Sequence, residues 1–462
     1  MCAYHPAEFQ ALTFHDAVPA FREGRDSPRK YLERCLETID AREPTVRAWV
    51  EMNVREARSV ADRSTARYLA GRELSTIDGM PVGIKDLFMT KDMPTRMGSP
   101  LFRDNHTHQD TACVQALRAA GAIVLGKTVT TELGMSYPGP TTNPFSHRHT
   151  PGGSSSGSAA AVGARMIPAA IGTQVAGSVI RPASFCANYA IKPTMGAIHR
   201  GERLALSQSH VGIHAGDLRD MWHVSIEVAK RSGGDPGYPG LYGETTLHPA
   251  TRPLRVIVME AQGAAELDDD SRDAFERFLT QLRHAGVHTI DRTNHSLVDS
   301  FERAIDESLE ITRDVCAYEM RWSLENLVER FGGGLSDSLT SRLELARKMS
   351  IDDYRQLLAQ RDKARAAHAA IAHIADAIVA PSSVGPAPKL DNQGLDSGIS
   401  HTTGLPSYNA VTSVLGAPTI TLPLLAVRGM PLGIQVIGQQ HTDQHLVGLG
   451  RWISETIPAR SV

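Results

Sequence analysis

Cysteine is scarce and scattered: Cys2, Cys35, Cys113, Cys186 and Cys316 are the only five in 462 residues, and none forms a C-x-x-C pair. That excludes a disulfide framework and the usual zinc spacings, and an odd, dispersed set reads as reduced thiols in a cytoplasmic protein. Aromatic residues make up 5%, too few for an aromatic-rich lipid channel. No stretch supplies the roughly 20 consecutive apolar residues that crossing a bilayer takes. The longest low-charge run, Ala159 to Ile180, is built of Gly, Ala, Ser and Val and is interrupted by Arg165 and Pro168. The opening MCAYHPAEFQ has neither the basic nor the apolar segment of a secretory signal. A net charge of -3 gives no field that would gather nucleic acid or an anionic membrane. The expectation is a soluble protein with neither as a partner.

What is present is an ordinary globular composition, 41% hydrophobic and 21% charged, in a chain long enough to bury a sizeable core. Residues 1–75 read as an N-terminal helical layer. Tyr31, Leu32, Cys35, Leu36 and Ile39 fall at helical spacing, and a second amphipathic run covers Val46 to Tyr68. Residues 76–201 then alternate strand, helix and strand: Met80 to Ile84 is apolar, Ala112 to Ala120 helical, and Ala122 to Leu125 a buried strand between glycines. Such alternation predicts an α/β fold with a mostly parallel or mixed sheet. Residues 202–376 are a variable region whose later part, 265 to 375, is a charged helical insertion or cap punctuated by Gly332-Gly333-Gly334. Residues 377–462 return to strand character at 377–381 and 432–438 and end in a helix from Leu446 to Ile453. No internal repeat is visible, so the chain reads as one domain with an insertion.

The segment 143–184 has the glycine and serine content of a linker, but it alternates with strand-like pieces such as Met166 to Ile171. It therefore reads as tight turns inside a core. Gly153-Ser154-Ser155-Ser156-Gly157 formally matches G-x-S-x-G, but that motif needs a preceding strand, and Ser146 to Pro151 is polar and ends in proline. No Gly-Lys-Ser/Thr follows, which excludes a phosphate loop. Ser178, in Gly172-Thr173-Gln174-Val175-Ala176-Gly177-Ser178, follows an apolar run on a turn of small residues. Backbone N–H groups on such a turn can converge on one point, as an oxyanion hole requires. Lys85 ends the strand-like Met80 to Ile84. Each of these features taken alone is an ordinary turn or strand end.

Together they form a pattern. GMPVGIKDLF (79–88), DTACVQALRAAGAIVLGKT (110–128), NPF (143–145), PGGSSSGSAAAV (151–162), IGTQVAGSVIRPASF (171–185) and KPTMG (192–196) resemble the signature region of the amidase signature family of serine hydrolases. The separation of 24 between Ser154 and Ser178 fits that family, and APSSVGPAP (380–388), GLPSYNAVTSVLGAPTITLPL (404–424) and GMPLGIQVIG (429–438) are similar to its closing strands. The resemblance implies an α/β/α sandwich with a large mixed central sheet. It also implies Ser178 as nucleophile, Ser154 as a bridging serine after a cis peptide, Lys85 as base and Ser155 as a support for Lys85. The oxyanion would be held by the N–H groups of Val175, Ala176, Gly177 and Ser178.

The implied chemistry is hydrolysis of a small amide (a carboxamide, aryl amide, hydrazide or ureide-like compound) with neither metal nor cofactor, in a cytoplasmic homodimer. The alternative is an amidotransferase-type A subunit, or a partner-dependent component of a larger complex. Two departures bear on that choice. Members often read Asp-Thr-Gly-Gly-Ser where this chain has Gln174 to Ser178, and Arg181 stands three rather than two residues beyond the serine. Both favour the small-molecule branch. None of the 19 histidines pairs with a carboxylate at a recognisable spacing, so His147, His149, His210 and His214 read as surface or pocket residues. Arg181 and Asp86 read as ion-pair partners. Met135, Tyr137, Ser207, His210, Tyr318 and Trp322 are the positional candidates for the substrate pocket.

Overall fold

The computed structural model describes residues 3–135, 137–201, 206–390 and 403–461. One 12-stranded mixed sheet organises them. Its strands are β1 (Trp49–Met52), β2 (Pro81–Lys85), β3 (Ile123–Thr128), β4 (Ala169–Gln174), β5 (Tyr189–Lys192), β6 (His210–Ala215), β7 (Arg255–Val258), β8 (His288–Ile290), β9 (Ala377–Pro381), β10 (Thr419–Val427), β11 (Met430–Ile437) and β12 (Arg460–Ser461). The order across the sheet is β1-β3-β2-β4-β6-β5-β10-β11-β9-β7-β8, with β12 beside β10. The β3-β2-β4 and β9-β7-β8 neighbours are parallel, and the pairs from β4 to β9 are antiparallel.

Side chains alternate across the sheet, as a strand period of two demands. Val82, Ile84, Val124, Ala169 and Ile171 share one core with Val114 and Leu117 of the helix Ala112–Ala119 and Met221, Trp222 and Val224 of the helix Leu218–Ser232. Ile123, Leu125, Ile167 and Ala170 pack into another, with Leu32, Leu36 and Ile39 of the helix Pro28–Val46 and the helix Ser156–Gly163. Helices on both faces make this the expected α/β/α sandwich.

The small residues of 151–163 serve close approach. All eight residues of the helix Ser156–Gly163 are buried. A Cβ on Gly157 would lie 2.2 Å from the carbonyl oxygen of Ala48 and 2.4 Å from the amide of Val129. Gly152 has φ +81 and packs against Pro182 and Phe185.

Two strands interrupt segments that read as helical. β1 lies inside the Val46 to Tyr68 run: the first helix ends at Arg47 in a left-handed cap, and Trp49–Met52 then pairs antiparallel with β3 before the helix Val54–Leu69 begins. β8 is a three-residue edge strand within the helical insertion. The rest of that region is helical, including Ser308–Phe331, Asp337–Lys348 and Ile351–Ala370, and the first of these stops at Gly332 to Gly334, all at positive φ. No helix among the described residues is long and apolar enough to cross a membrane.

Candidate active site

β2 delivers Lys85 from its last position into a fully buried setting. The Lys85 Nζ lies 2.6 Å from Ser154 Oγ, 2.8 Å from Thr173 Oγ1, 3.1 Å from Ser155 Oγ and 3.4 Å from the Thr173 carbonyl. Every partner is neutral. Burial without a counter-charge holds the ammonium well below the usual lysine range. Asp86 turns the other way and pairs with the buried Lys127 at 2.8 Å, as an ion pair was expected of it. Thr173, one of the closest contacts of Lys85, was missed by sequence reasoning, although it stands close to the end of an apolar strand much as Lys85 does.

Ser154 follows a cis Gly153–Ser154 peptide. The turn Glu132–Gly134 covers it: a Cβ on Gly134 would stand 3.8 Å from Ser154 Oγ. Ser155 accepts from Thr173 N at 3.3 Å and donates to the Thr173 carbonyl at 3.2 Å, which ties the serine loop to β4. Arg181, fully buried, reaches no carboxylate among the described residues, contrary to the ion pair expected of it. Its Nη2 donates to the Gly153 carbonyl at 2.8 Å and its Nε to the Thr403 carbonyl at 2.7 Å. Burial lowers it to about 10. Its contribution is to hold the backbone just before Ser154.

β4 ends at Gln174, and the chain turns through Val175 to Ser178. The Gln174 Oε1 accepts from the amides of Val179 at 3.0 Å and Ile180 at 3.1 Å. Its Nε2 donates to Thr412 Oγ1 and Ser413 Oγ on the helix Ser407–Leu415. The amides of Val175, Ala176, Gly177 and Ser178 find no acceptor among the described residues. Ser178 itself is half-buried, and its hydroxyl makes no hydrogen bond there either. Four free donors beside a free hydroxyl, on the turn that follows the Lys85 contact Thr173, can stabilise charge that develops on a carbonyl oxygen.

His210 and His214 are both buried on β6, and neither ring nitrogen of either finds a side-chain or backbone hydrogen bond among the described residues. Burial, reinforced by Lys85, lowers His214 to about 3, so it is neutral at ordinary pH. Among the pocket candidates, Met135 packs with Leu206, Met320 and Leu324, and Tyr318 stacks on Tyr354 at 4.4 Å. Ser207 donates its amide to Glu319 at 2.8 Å. Tyr137 is 56% exposed, and Trp322, 71% exposed, stands on the outer side of its helix while Met320 and Leu324 face inward; Trp322 is therefore no wall of the site. His15, Asp217 and Asp220 are the one group of described residues close enough together to hold a metal ion. Asp220 already accepts the amides of Phe14 and His15, and Asp217 caps a helix.

A mixed α/β sandwich with a buried lysine against adjoining serines, and a turn of free amides after the neighbouring strand β4, is in keeping with an enzyme that acts on amides. The amidase family model matches residues 30–447, and the chain belongs to that family. The A chain of the glutamyl-tRNA(Gln) amidotransferase of Chloroflexus aurantiacus is 28% identical, with 96% of this chain and 96% of that one covered. A solved amidase structure superimposes with a TM-score of 0.81 at 26% identity, covering 96% and 99% of the two chains. The peptide amidase of Stenotrophomonas maltophilia has a TM-score of 0.80 at 24% identity over 97% and 98%.

Proposed function

We propose that this chain hydrolyses a small linear amide through a seryl acyl-enzyme, with Ser178 as nucleophile, Ser154 as relay and Lys85 as base. The observation that carries the reading is the 2.6 Å contact between Ser154 and a lysine buried without any counter-charge. A serine hydroxyl needs a neighbour to take its proton, and a lysine can do so only when neutral. The Ser178 hydroxyl turns onto Ser154 Oγ and gives up its proton as Ser154 passes its own to Lys85. Ser178 Oγ attacks the carbonyl carbon, and the amides of Val175 to Ser178 receive the oxyanion. Collapse breaks the C–N bond, and the proton returns from Lys85 through Ser154 to the leaving nitrogen. Water then releases the carboxylic acid by the same route reversed. Ser155 and Thr173 keep Lys85 in place.

A second reading is supported by the 28% identity to the amidotransferase chain over nearly the full length of both proteins: the chain works only with a partner that supplies substrate or receives ammonia. Buried, unpaired Cys35, Cys113, Cys186 and Cys316 support the cytoplasmic part of the proposal, Cys2 lying outside the described residues. The homodimer is part of the proposal too, and sedimentation velocity tests it.

The purified chain is to be incubated with aryl, alkyl, amino-acid and urea-derived amides and with hydrazides, beside a Ser178→Ala control, and the acid product measured. Turnover of one class that disappears in the control supports the stand-alone hydrolase. Turnover that survives Ser178→Ala refutes the mechanism. A silent chain that becomes active on adding a co-purifying protein supports the second reading.

A further inference from the structure

Arg361, Arg365 and the fully buried Gln208 are tied to residues that border the turn after β4. β4 and β6 run antiparallel with Gln174 opposite His210, so Ala176 and Gln208 each lie just past the same end of the paired strands. Gln208 is fully buried, and neither its Nε2 nor its Oε1 has a partner among the described residues. Beside it, Arg361 Nη1 donates to Ser207 Oγ at 2.8 Å. Arg361 lies one turn before Arg365 on the helix Ile351–Ala370. The Arg365 Nε donates to the Val414 carbonyl at 2.9 Å, and the neighbouring Ser413 hydroxyl donates to the Ala176 carbonyl at 3.2 Å. Arg361 is therefore tied to the segment that leads into β6, and Arg365 to the helix Ser407–Leu415, whose Ser413 bonds the turn.

Two carboxylates, Asp362 and Glu319, stand near this pair, but among the described residues neither forms an ion pair with Arg361. Among the described residues no carboxylate comes within 4.0 Å of Arg361, and Arg365 has only Asp362, at 3.9 Å. The Arg361 Nε is itself buried and without a partner. Glu319 is close by, but its two oxygens are taken by Ser207 N and the Tyr354 hydroxyl, each at 2.8 Å. Like charges one helical turn apart repel, and a buried guanidinium edge or amide with no partner is costly. An anion lying against Arg361 and Gln208 removes both penalties, and a carboxylate matches the flat fork of a guanidinium.

We propose that the substrate is an amide that also carries a carboxylate, which Arg361 and Gln208 bind while the amide carbonyl lies at Ser178. The proposal rests on the hydrolase reading above and names its substrate class. Arg361 binds substrate in this picture. Arg365, held by Val414, sets the position of the neighbouring turn and adds to the positive potential.

The test pairs succinamate, glutaramate and adipamate with unbranched alkyl amides of matched length, assayed on the wild type, Arg361→Leu and Arg361→Lys. The wild type is expected to prefer at least one carboxylate amide. Arg361→Leu should lose about 10- to 100-fold in kcat/KM for it, mainly through KM, with a much smaller loss for the alkyl amides. Arg361→Lys, which keeps the charge and loses the fork, should fall between. Equal loss for both series, or a wild-type preference for the alkyl amides, overturns the proposal. Calorimetric titration of succinate, glutarate and adipate into Ser178→Ala protein, with and without Arg361→Leu, decides the matter without turnover. Binding at millimolar concentration that Arg361→Leu abolishes supports the site, and no binding of any of the three overturns it. Failure of the hydrolase reading is seen separately, as turnover that survives Ser178→Ala.

Discussion

Replacing Gln174 should separate what the nucleophile turn needs from what the core needs. Its Oε1 is the acceptor for the amides of Val179 and Ile180, and its Nε2 serves Thr412 and Ser413. In Gln174→Ala the two amides are left in a dry environment, at about 1–3 kcal/mol each. The destabilisation should come to about 2–6 kcal/mol unless the turn shifts to relieve it. If it shifts, the four free amides upstream lose their common focus, and kcat should fall about 10²-fold, the scale of losing one oxyanion donor. Gln174→Glu keeps the acceptor for both amides. Its second oxygen, however, then faces two hydroxyls already donating elsewhere, Thr412 to the Asn409 carbonyl at 2.8 Å and Ser413 to the Ala176 carbonyl at 3.2 Å. One of them must swing round, at about 0.5–1.5 kcal/mol, so Glu should fall between wild type and Ala in both stability and kcat. The same geometry gives a reason for an amide here where an acid is common: the neighbouring hydroxyls need a donor. Urea unfolding and steady-state rates on a turned-over amide check this. Wild-type kcat in Gln174→Ala would refute the claim that the turn is held from Gln174.

Four other perturbations have defined outcomes. A Cβ at Gly177 would stand 2.8 Å from both Arg181 Nη1 and Asn409 Oδ1, so Gly177→Ala should lower kcat by about 10²-fold, whereas an unchanged rate means the turn takes no part. Lys127→Met strands the buried Asp86 and should cost about 3–5 kcal/mol in urea unfolding, with much of the loss recovered by adding Asp86→Asn. Because burial lowers Lys85, the unfolded chain binds more protons than the folded one between the two values. Stability from this group therefore rises with pH, and activity is lost as pH falls through the folded value. His214, already neutral above about 3, should leave the acid limb of kcat/KM in place when changed to Asn and raise it when changed to Asp; a limb that disappears in His214→Asn would assign it to the histidine.

The parts legible in the sequence are those whose information is local. The strands ending in Lys85 and Gln174 declare themselves as short apolar runs, and the glycines and serines of 151–163 declare close packing. β1 and β8 escaped because four residues and three residues are too short for a period of two to stand out inside helical segments. The partners of the site escaped for a different reason. Gln174 meets Thr412 and Ser413 from 238 and 239 residues away, and Arg181 meets Thr403 from 222. Such contacts are made by the order of strands in the sheet, which no local pattern records. Arg181 was expected to find an acid because most buried arginines need a charge partner. Here the carbonyl oxygens of Gly153 and Thr403 and the Thr403 hydroxyl take its Nε and Nη2, while its Nη1 has no partner among the described residues.

Three lysines are fully buried in this fold, and comparing them shows why only one suits the role of base. Lys127 faces the Asp86 carboxylate at 2.8 Å. Burial lowers it, but that charge works the other way and favours the ammonium. Lys192 is lowered to about 7 by burial, with Asp443 opposing the shift. Its nitrogen, though, is directed at the carbonyls of Pro193 and Ala417, which can accept a proton bond but have no proton to give. Lys85 alone combines the absence of any carboxylate with hydroxyls at 2.6, 2.8 and 3.1 Å. A base needs a depressed affinity for its proton and also a neighbour that can surrender one. Lys85 alone meets both conditions of the base role proposed for it, because Ser154, Ser155 and Thr173 are brought to the end of β2 with no carboxylate among them, whereas Lys127, which also touches a hydroxyl, faces Asp86.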